Sequence, residues 1–258
     1  MNLKVIKPGK ELSKYIKFYW VIEGGFRPYP ELVYPTGEIQ LILHYKDPFI
    51  NHDSSNKVYR QPKSAVCGQK TSFSNVYTDK QTGAIGVLFF PHTASHFFPF
   101  PIIEITDMVI DLSDIYRDWN QFENEYHNNC NNNQDRIHLI ESFFIKKIRK
   151  TNSVHYSIVE ACINDIDSRK GMIFIRELAN RYDLSERSLQ RIFNDKVGLS
   201  AKQYSVFKKL EYGIKLCKIE KKLIDSCYEA GYYDQSNFIK TVKKYTGLTP
   251  SELKKRCD

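Results

Sequence analysis

No stretch of this 258-residue sequence approaches the roughly 18 uninterrupted apolar residues of a membrane span. The opening "MNLKVIKPGKEL" has neither an apolar core nor a small-residue cleavage site, so it does not read as a signal peptide. A cytoplasmic protein without a membrane partner is the expectation. The six cysteines (67, 130, 162, 217, 227 and 257) are scattered, with no C-x-x-C pair. That excludes a zinc ribbon and a disulfide framework and points to reduced thiols. Missing too are a paired-carboxylate motif, a nucleophile elbow and a phosphate-binding glycine loop, so catalysis has no candidate residues and no cofactor is expected.

The histidines offer little more. A cupin-type metal site needs His-x-His with a Glu and a further His on neighbouring strands. Here His44 is followed by Tyr45 and Lys46. His92 and His96 share a face if their segment is helical, but no third ligand lies nearby, and packing histidines are the favoured reading. Cys67 has two readings, a reactive thiol beside Lys63 and Lys70 or a small buried residue near a turn glycine. The second is favoured.

What is present is charge, unevenly placed. The net charge is +8, and residues 171–258 hold 18 Lys and Arg against 11 Asp and Glu, whereas residues 1–170 hold 20 against 19. A basic final third on a neutral remainder is the footprint of a nucleic-acid-binding module, or else of a well-solvated helical domain. Hydrophobic content of 41% and aromatic content of 14% fit a folded globular chain of one large or two small domains.

The first part reads as β. "YIKFYWVIEG" (15–24), "GEIQLILHY" (37–45) and "GAIGVLFF" (83–90) are rich in β-branched and aromatic residues and are punctuated by Pro, Gly, Asn and Asp. The polar stretch 46–64 reads as a long mobile loop, and "HTASHFFPF" as a short helix or turn closed by Pro99 and Pro101. "ITDMVIDLSDIY" reads as one more strand and a helix start capped by Ser113. Asn-rich "HNNCNNNQ" (127–134) has no apolar periodicity and reads as a surface linker. Beyond it, Ile137, Ile140, Phe144 and Ile148, then Val154, Ile158, Cys162 and Ile166, recur at helical spacing. From Gly171 onward every segment reads as helix. The expected fold class is α+β with three parts: a β-rich regulatory domain over 1–130, a helical connector over 131–170, and an all-α DNA-binding domain over 171–258.

The segment "IRELANRYDLSERSLQRIFND" has the spacing of a helix-turn-helix. Ile175, Leu178, Ala179 and Tyr182 form the inner face of a first helix, Asp183 and Leu184 the turn, and Ser185 the N-cap of a second helix. That second helix buries Leu189, Ile192 and Phe193 and turns Arg187, Gln190, Arg191 and Asn194 outward. Arg pairs bidentately with guanine and Gln with adenine in a major groove. A second copy begins at "LIDSCYEAGYY", its first helix offset by 48 residues and its second by 49, so its turn is one residue longer. Each copy is followed by G-L-[ST]. Between them Tyr204, Phe207, Leu210, Ile214 and Cys217 line one face of a spacer helix, which would set two recognition helices about one DNA turn, roughly 34 Å, apart.

Residues 172–255 resemble the DNA-binding domain of AraC/XylS-type transcription regulators, most closely at "LANRYDLSERSLQRIF...VGLS" and "YEAGYYDQSNFIKTVKKYTGLTPSEL". The resemblance implies base-reading positions at Arg187, Gln190 and Arg191 in the first unit and at Ser236, Asn237 and Lys240 in the second. It also implies double-stranded promoter DNA and RNA polymerase as partners. Three departures stand out: Asp183 where a turn glycine is common, Val242 for a Phe, and Ser226 for an apolar residue. They suggest a less tight first turn and a looser second unit. Ser236 and Asn237 are short, which shifts the second helix toward phosphate contact, and Lys208 and Lys243 are further phosphate candidates.

Residues 1–120 more faintly resemble a regulatory domain fused to some AraC-type regulators, through "YIKFYWVIEG", "YPTGEIQLILHY", "VCGQKT" and "GAIGVLFFPHTASHFFPFPIIEITDMVIDL". A cupin-like barrel or related β-rich domain is implied, serving small-molecule effector sensing, homodimerisation or both. The dense aromatics are mostly core, and a barrel they wall could also enclose a small apolar or aromatic ligand. The function expected is therefore sequence-specific transcription regulation. The alternative is a β-domain enzyme or ligand-binding protein with a basic helical docking tail.

Overall fold

The computed structural model describes residues 2–149, 154–219 and 222–256, with the side chains of 27, 28 and 154 outside that description. Of the residues singled out in the sequence, the side chain of Val154 and the whole of Cys257 fall outside it.

The front of the chain folds into two antiparallel sheets. Six strands, β1 (Asn2–Ile6), β2 (Ile16–Gly24), β4 (Gln40–His44), β7 (Ser64–Cys67), β9 (Thr82–Phe89) and β10 (Val109–Asp111), join in the order β1-β2-β9-β4-β7-β10. The second sheet is β3 (Arg27–Val33), β8 (Ser74–Thr78), β5 (Ile50–Asp53) and β6 (Val58–Arg60), in the order β3-β8-β5-β6. Strand alternation divides the large sheet's side chains. Tyr19, Val21, Leu41, Leu43, Ile85 and Val87 point into the main core, whereas Trp20, Ile22, Gln40 and Ile42 face the second sheet. A sheet covered on both faces explains why every residue of β9 is buried. Gly86 is required there, because a β-carbon would overlap the Trp20 indole.

The main core is closed by two helices, α1 (Trp119–Asn128) and α2 (Asn133–Lys147), whose Trp119, Phe122, Tyr126, Ile137, Phe143 and Phe144 join it. Helix α3 (Val154–Ser168) sends Val159, Cys162, Ile163 and Ile166 into a separate C-terminal core. The connector helices thus divide, one to each domain.

Three local readings are corrected. Residues 46–64 are not a loop excursion: they hold β5 and β6, paired from Ile50↔Arg60 to His52↔Val58. Their inward polar groups satisfy one another, with Gln61 donating to Asn51 (3.0 Å), Asn51 donating to the Tyr59 hydroxyl (3.0 Å) and Gln61 Oε1 meeting His44 Nε2 (3.1 Å). The Asn-rich run is a linker only over 129–132: His127 and Asn128 end α1, and Asn133 and Gln134 begin α2, which Asn132 caps by accepting from the amides of Gln134 and Asp135. The cap beyond β10 is Asp111, accepting from Ser113 N, and it opens only a 3-10 turn.

The C-terminal part is all helix: α4 (Ile175–Arg181), α5 (Glu186–Lys196), α6 (Ala201–Lys218), α7 (Leu223–Glu229), α8 (Gln235–Thr246) and α9 (Pro250–Lys255). Two cores occupy it, one under α4 and α5, the other under α7 and α8, and α6 supplies residues to both.

Candidate nucleic-acid interface

Each half of the C-terminal domain is a helix, a turn and a second helix whose start is set by a local cap. Ser185 accepts from Ser188 N to open α5, and Asp234 accepts from Asn237 N to open α8. Leu189, Ile192 and Phe193 anchor α5, and Phe238 and Val242 anchor α8. Arg187, Gln190 and Arg191 are exposed together on the far side of α5, beside half-buried Asn194. On α8, Ser236, Asn237 and Lys240 are exposed in the same way.

The first turn is not loosened by its missing glycine. Asp183 takes φ 54°, the left-handed conformation that Gly231 takes at φ 74° in the second unit. Asp is among the few residues that visit this region, because its short side chain hydrogen-bonds locally. Nor is the second unit open at its Val: Val242 is fully buried against the Phe238 core. Lys209 braces the second turn, donating to the Gly231 carbonyl at 2.6 Å and lying 4.4 Å from the Tyr232 ring centre. Burial there lowers its pKa. Lys208 is a poor phosphate candidate, with a side chain 13% exposed and bound to Glu211 at 3.1 Å, whereas Lys243 is exposed.

The glycines of the two G-L-[ST] motifs do a second job. Gly198 (φ 81°) and Gly247 (φ 74°) end α5 and α8, and both sit against the front domain. A β-carbon on Gly198 would lie 2.8 Å from Ile102, and one on Gly247 would lie 2.6 Å from Phe73. Thr106 also donates to the Gly198 carbonyl at 2.7 Å. Further along, His96 stacks on Tyr156 of α3 at 4.1 Å, and Ser95 donates to the Tyr156 hydroxyl at 3.1 Å. His92 and His96 thus belong to a packed interface, and both are held below the usual imidazole range, first by burial.

A cavity of about 340 Å³ lies between the two sheets. Its walls are mainly apolar, with Trp20, Ile22, Val33, Ile42, Phe49 and Val76, and its polar lining residues are Glu31, Gln40, Asn51, Gln61, Lys70 and Thr78. Trp20 Nε1 donates to Gln40 at 3.2 Å. Burial depresses the His44 imidazole to about 4 and raises the Cys67 thiol to about 11, so both are neutral. Cys67 is therefore the small buried residue, not a reactive thiolate. Strand β3 faces two ways: Glu31 and Val33 line the cavity, while Leu32, with Tyr34 just beyond the strand, packs on the core of the second helix-turn-helix unit. Sequence reasoning missed the cavity's polar wall and the interdomain contacts. Both bring together residues far apart in the chain, and no local pattern marks them.

Residues 178–256 match the helix-turn-helix domain family, and residues 4–111 match a family described as a domain of unknown function. Over 121 residues the chain is 28% identical to the Msm operon regulatory protein of Streptococcus mutans, a stretch covering 45% of this chain and 43% of that protein. The chain thus matches less than half the length of that curated relative. The 1.65 Å structure of ToxT from Vibrio cholerae superposes with a TM-score of 0.50 at 12% identity, covering 90% of this chain and 97% of that one, a likeness of fold. No helix among the described residues is long and apolar enough to cross a membrane. Residues 178–256 thus carry the matched helix-turn-helix domain, and a β-rich domain precedes it in the chain.

Proposed function

We propose that this chain is a one-component transcription regulator that reads a promoter duplex with α5 and α8 and is tuned by a small ligand held between the two front sheets. The observation that carries the reading is the pair of capped helices on one frame, each burying its apolar stripe and exposing a polar one. Arg187, Gln190 and Arg191 read base edges from α5; Ser236, Asn237 and Lys240 act from α8. Exposed lysines such as Lys243 add phosphate contacts, which make affinity fall with salt.

The cavity supports the second half of the proposal. Its volume lies near the lower end for small-molecule sites, and its walls are apolar with a few fixed polar groups, as such sites require. A small, mostly apolar or aromatic effector fits that lining. Through β3 and through the front-domain residues seated on Gly198 and Gly247, occupancy of the cavity would bear on both helix-turn-helix units.

The test is fluorescence anisotropy of the full-length protein on labelled duplex from upstream of its own gene, at several salt concentrations and beside a scrambled duplex. Selective binding that an R191A/K240A double variant loses supports the proposal. Equal, weak binding to both duplexes would overturn it.

A further inference from the structure

We infer that Tyr233 is a DNA-backbone contact of the second unit, its phenol donating a hydrogen bond to a phosphate at the edge of the major groove. This rests on the DNA-reading proposal above and adds a residue to it. The two units differ by one residue in their turns. The first runs Tyr182, Asp183, Leu184 and then the cap Ser185; the second runs Ala230, Gly231, Tyr232, Tyr233 and then the cap Asp234. Tyr232 takes the place of Leu184 in the core: it is buried, and its ring lies 4.9 Å from that of Phe238. Tyr233 is the added residue. It is 90% exposed and belongs to none of the hydrophobic cores among the described residues.

Packing therefore gives no reason for an aromatic at this position, but its placement does. In a helix-turn-helix the first helix crosses the sugar-phosphate backbone and the second enters the groove N-terminus first. The residue just before the N-cap of α8 lies where the chain passes from one to the other. Tyr is among the side chains that hydrogen-bond phosphate oxygens and so set a protein's register on the duplex. The exposed residues of the first turn of α8 are Gln235, Ser236 and Asn237, which carry no positive charge there. Ser236 and Asn237 are short as well. A long, rigid donor beside them supplies the phosphate anchor that the first turn of α8 otherwise lacks.

The experiment compares full-length wild type, Y233F and Y233A by anisotropy on a duplex that the wild type binds selectively, on single-base variants of it, and across a salt series. Y233F keeps the ring and loses only the donor. The expected result is a weakening of about 10-fold or more, the size of one hydrogen bond to a charged group, equal on every duplex. The slope of affinity against salt should be unchanged, because a neutral donor releases no counterion. Replacing phosphates one at a time by methylphosphonate should then locate a single position at which wild type and Y233F bind equally. Wild-type affinity in Y233F overturns the inference, and so does a change in preference among the single-base variants, which would make Tyr233 a base reader. If the wild type shows no selective binding, the DNA-reading proposal itself fails, an outcome that precedes any comparison of variants.

Discussion

Phe73 occupies the space that a side chain on Gly247 would need: a β-carbon built there stands 2.6 Å from Phe73 Cζ. Gly247 closes α8 in the left-handed conformation, so a substituent would meet both backbone strain and the ring. The front domain thereby rests on the far end of a recognition helix, as it does on α5 at Gly198. Gly247→Ala should cost about 1–3 kcal/mol and weaken the docking of the domains. Phe73→Ala should weaken the docking while leaving the helix end intact. Limited proteolysis and melting curves separate the two: only Gly247→Ala should lower the melting temperature of the helical domain itself.

Arg191→Ala should lower affinity for the cognate duplex by about 1–3 kcal/mol and relax the base preference at one position. Lys243→Ala should weaken all duplexes alike and reduce the salt slope by about one. Competition anisotropy against single-base variants measures both. A uniform loss from Arg191→Ala would make that residue a phosphate contact instead.

His44 ties stability to pH. Its imidazole titrates near 4 in the folded protein because it is buried, against about 6.5 unfolded. Between those values the unfolded chain takes up a proton that the native protein refuses. The stabilisation is therefore complete above pH 6.5 and is lost progressively down to pH 4, by up to about 3 kcal/mol. His92, His96 and His127 are held down as well, chiefly by burial, and add to the same slope. Urea melts at pH 7, 5.5 and 4.5 should show stability falling with acid, and His44→Gln should flatten the slope by close to one proton.

Thiol chemistry should discriminate sharply. Cys67 is buried, its thiol raised to about 11, whereas Cys130 is half-exposed. At pH 8 a disulfide reagent should modify Cys130 in the native protein and reach Cys67 only when the front domain opens. Mass spectrometry of peptides after timed labelling reads this directly.

Much of this fold is legible in the chain because its signals are local. Strands β2, β4 and β9 read as apolar runs since they lie in a sheet covered on both faces. The helix-turn-helix units announce themselves through Ser185 and Asp234, each capping an amide three residues on, and the capping boxes of Ser200–Gln203 and Thr249–Glu252 mark the next helices. The hairpin of β5 and β6 is opaque for the opposite reason. Its Asn51 faces inward and is made tolerable by Tyr59 and Gln61, partners 8 and 10 residues away. The run around Asn132 looks like a linker because Asn favours both loops and helix caps, and composition does not tell them apart. The Thr106 bond to Gly198 spans 92 residues and leaves no pattern at all.

The two-faced β3 has a consequence for genetics. Neighbouring codons there address different surfaces: 31 and 33 meet the cavity, 32 and 34 the second helix-turn-helix unit. In a selection for altered regulation, changes at the odd positions should shift which inducer is accepted or how much is needed. Changes at the even positions should yield inducer-blind phenotypes, locked on or off. Parity along four residues would sort the two mutant classes.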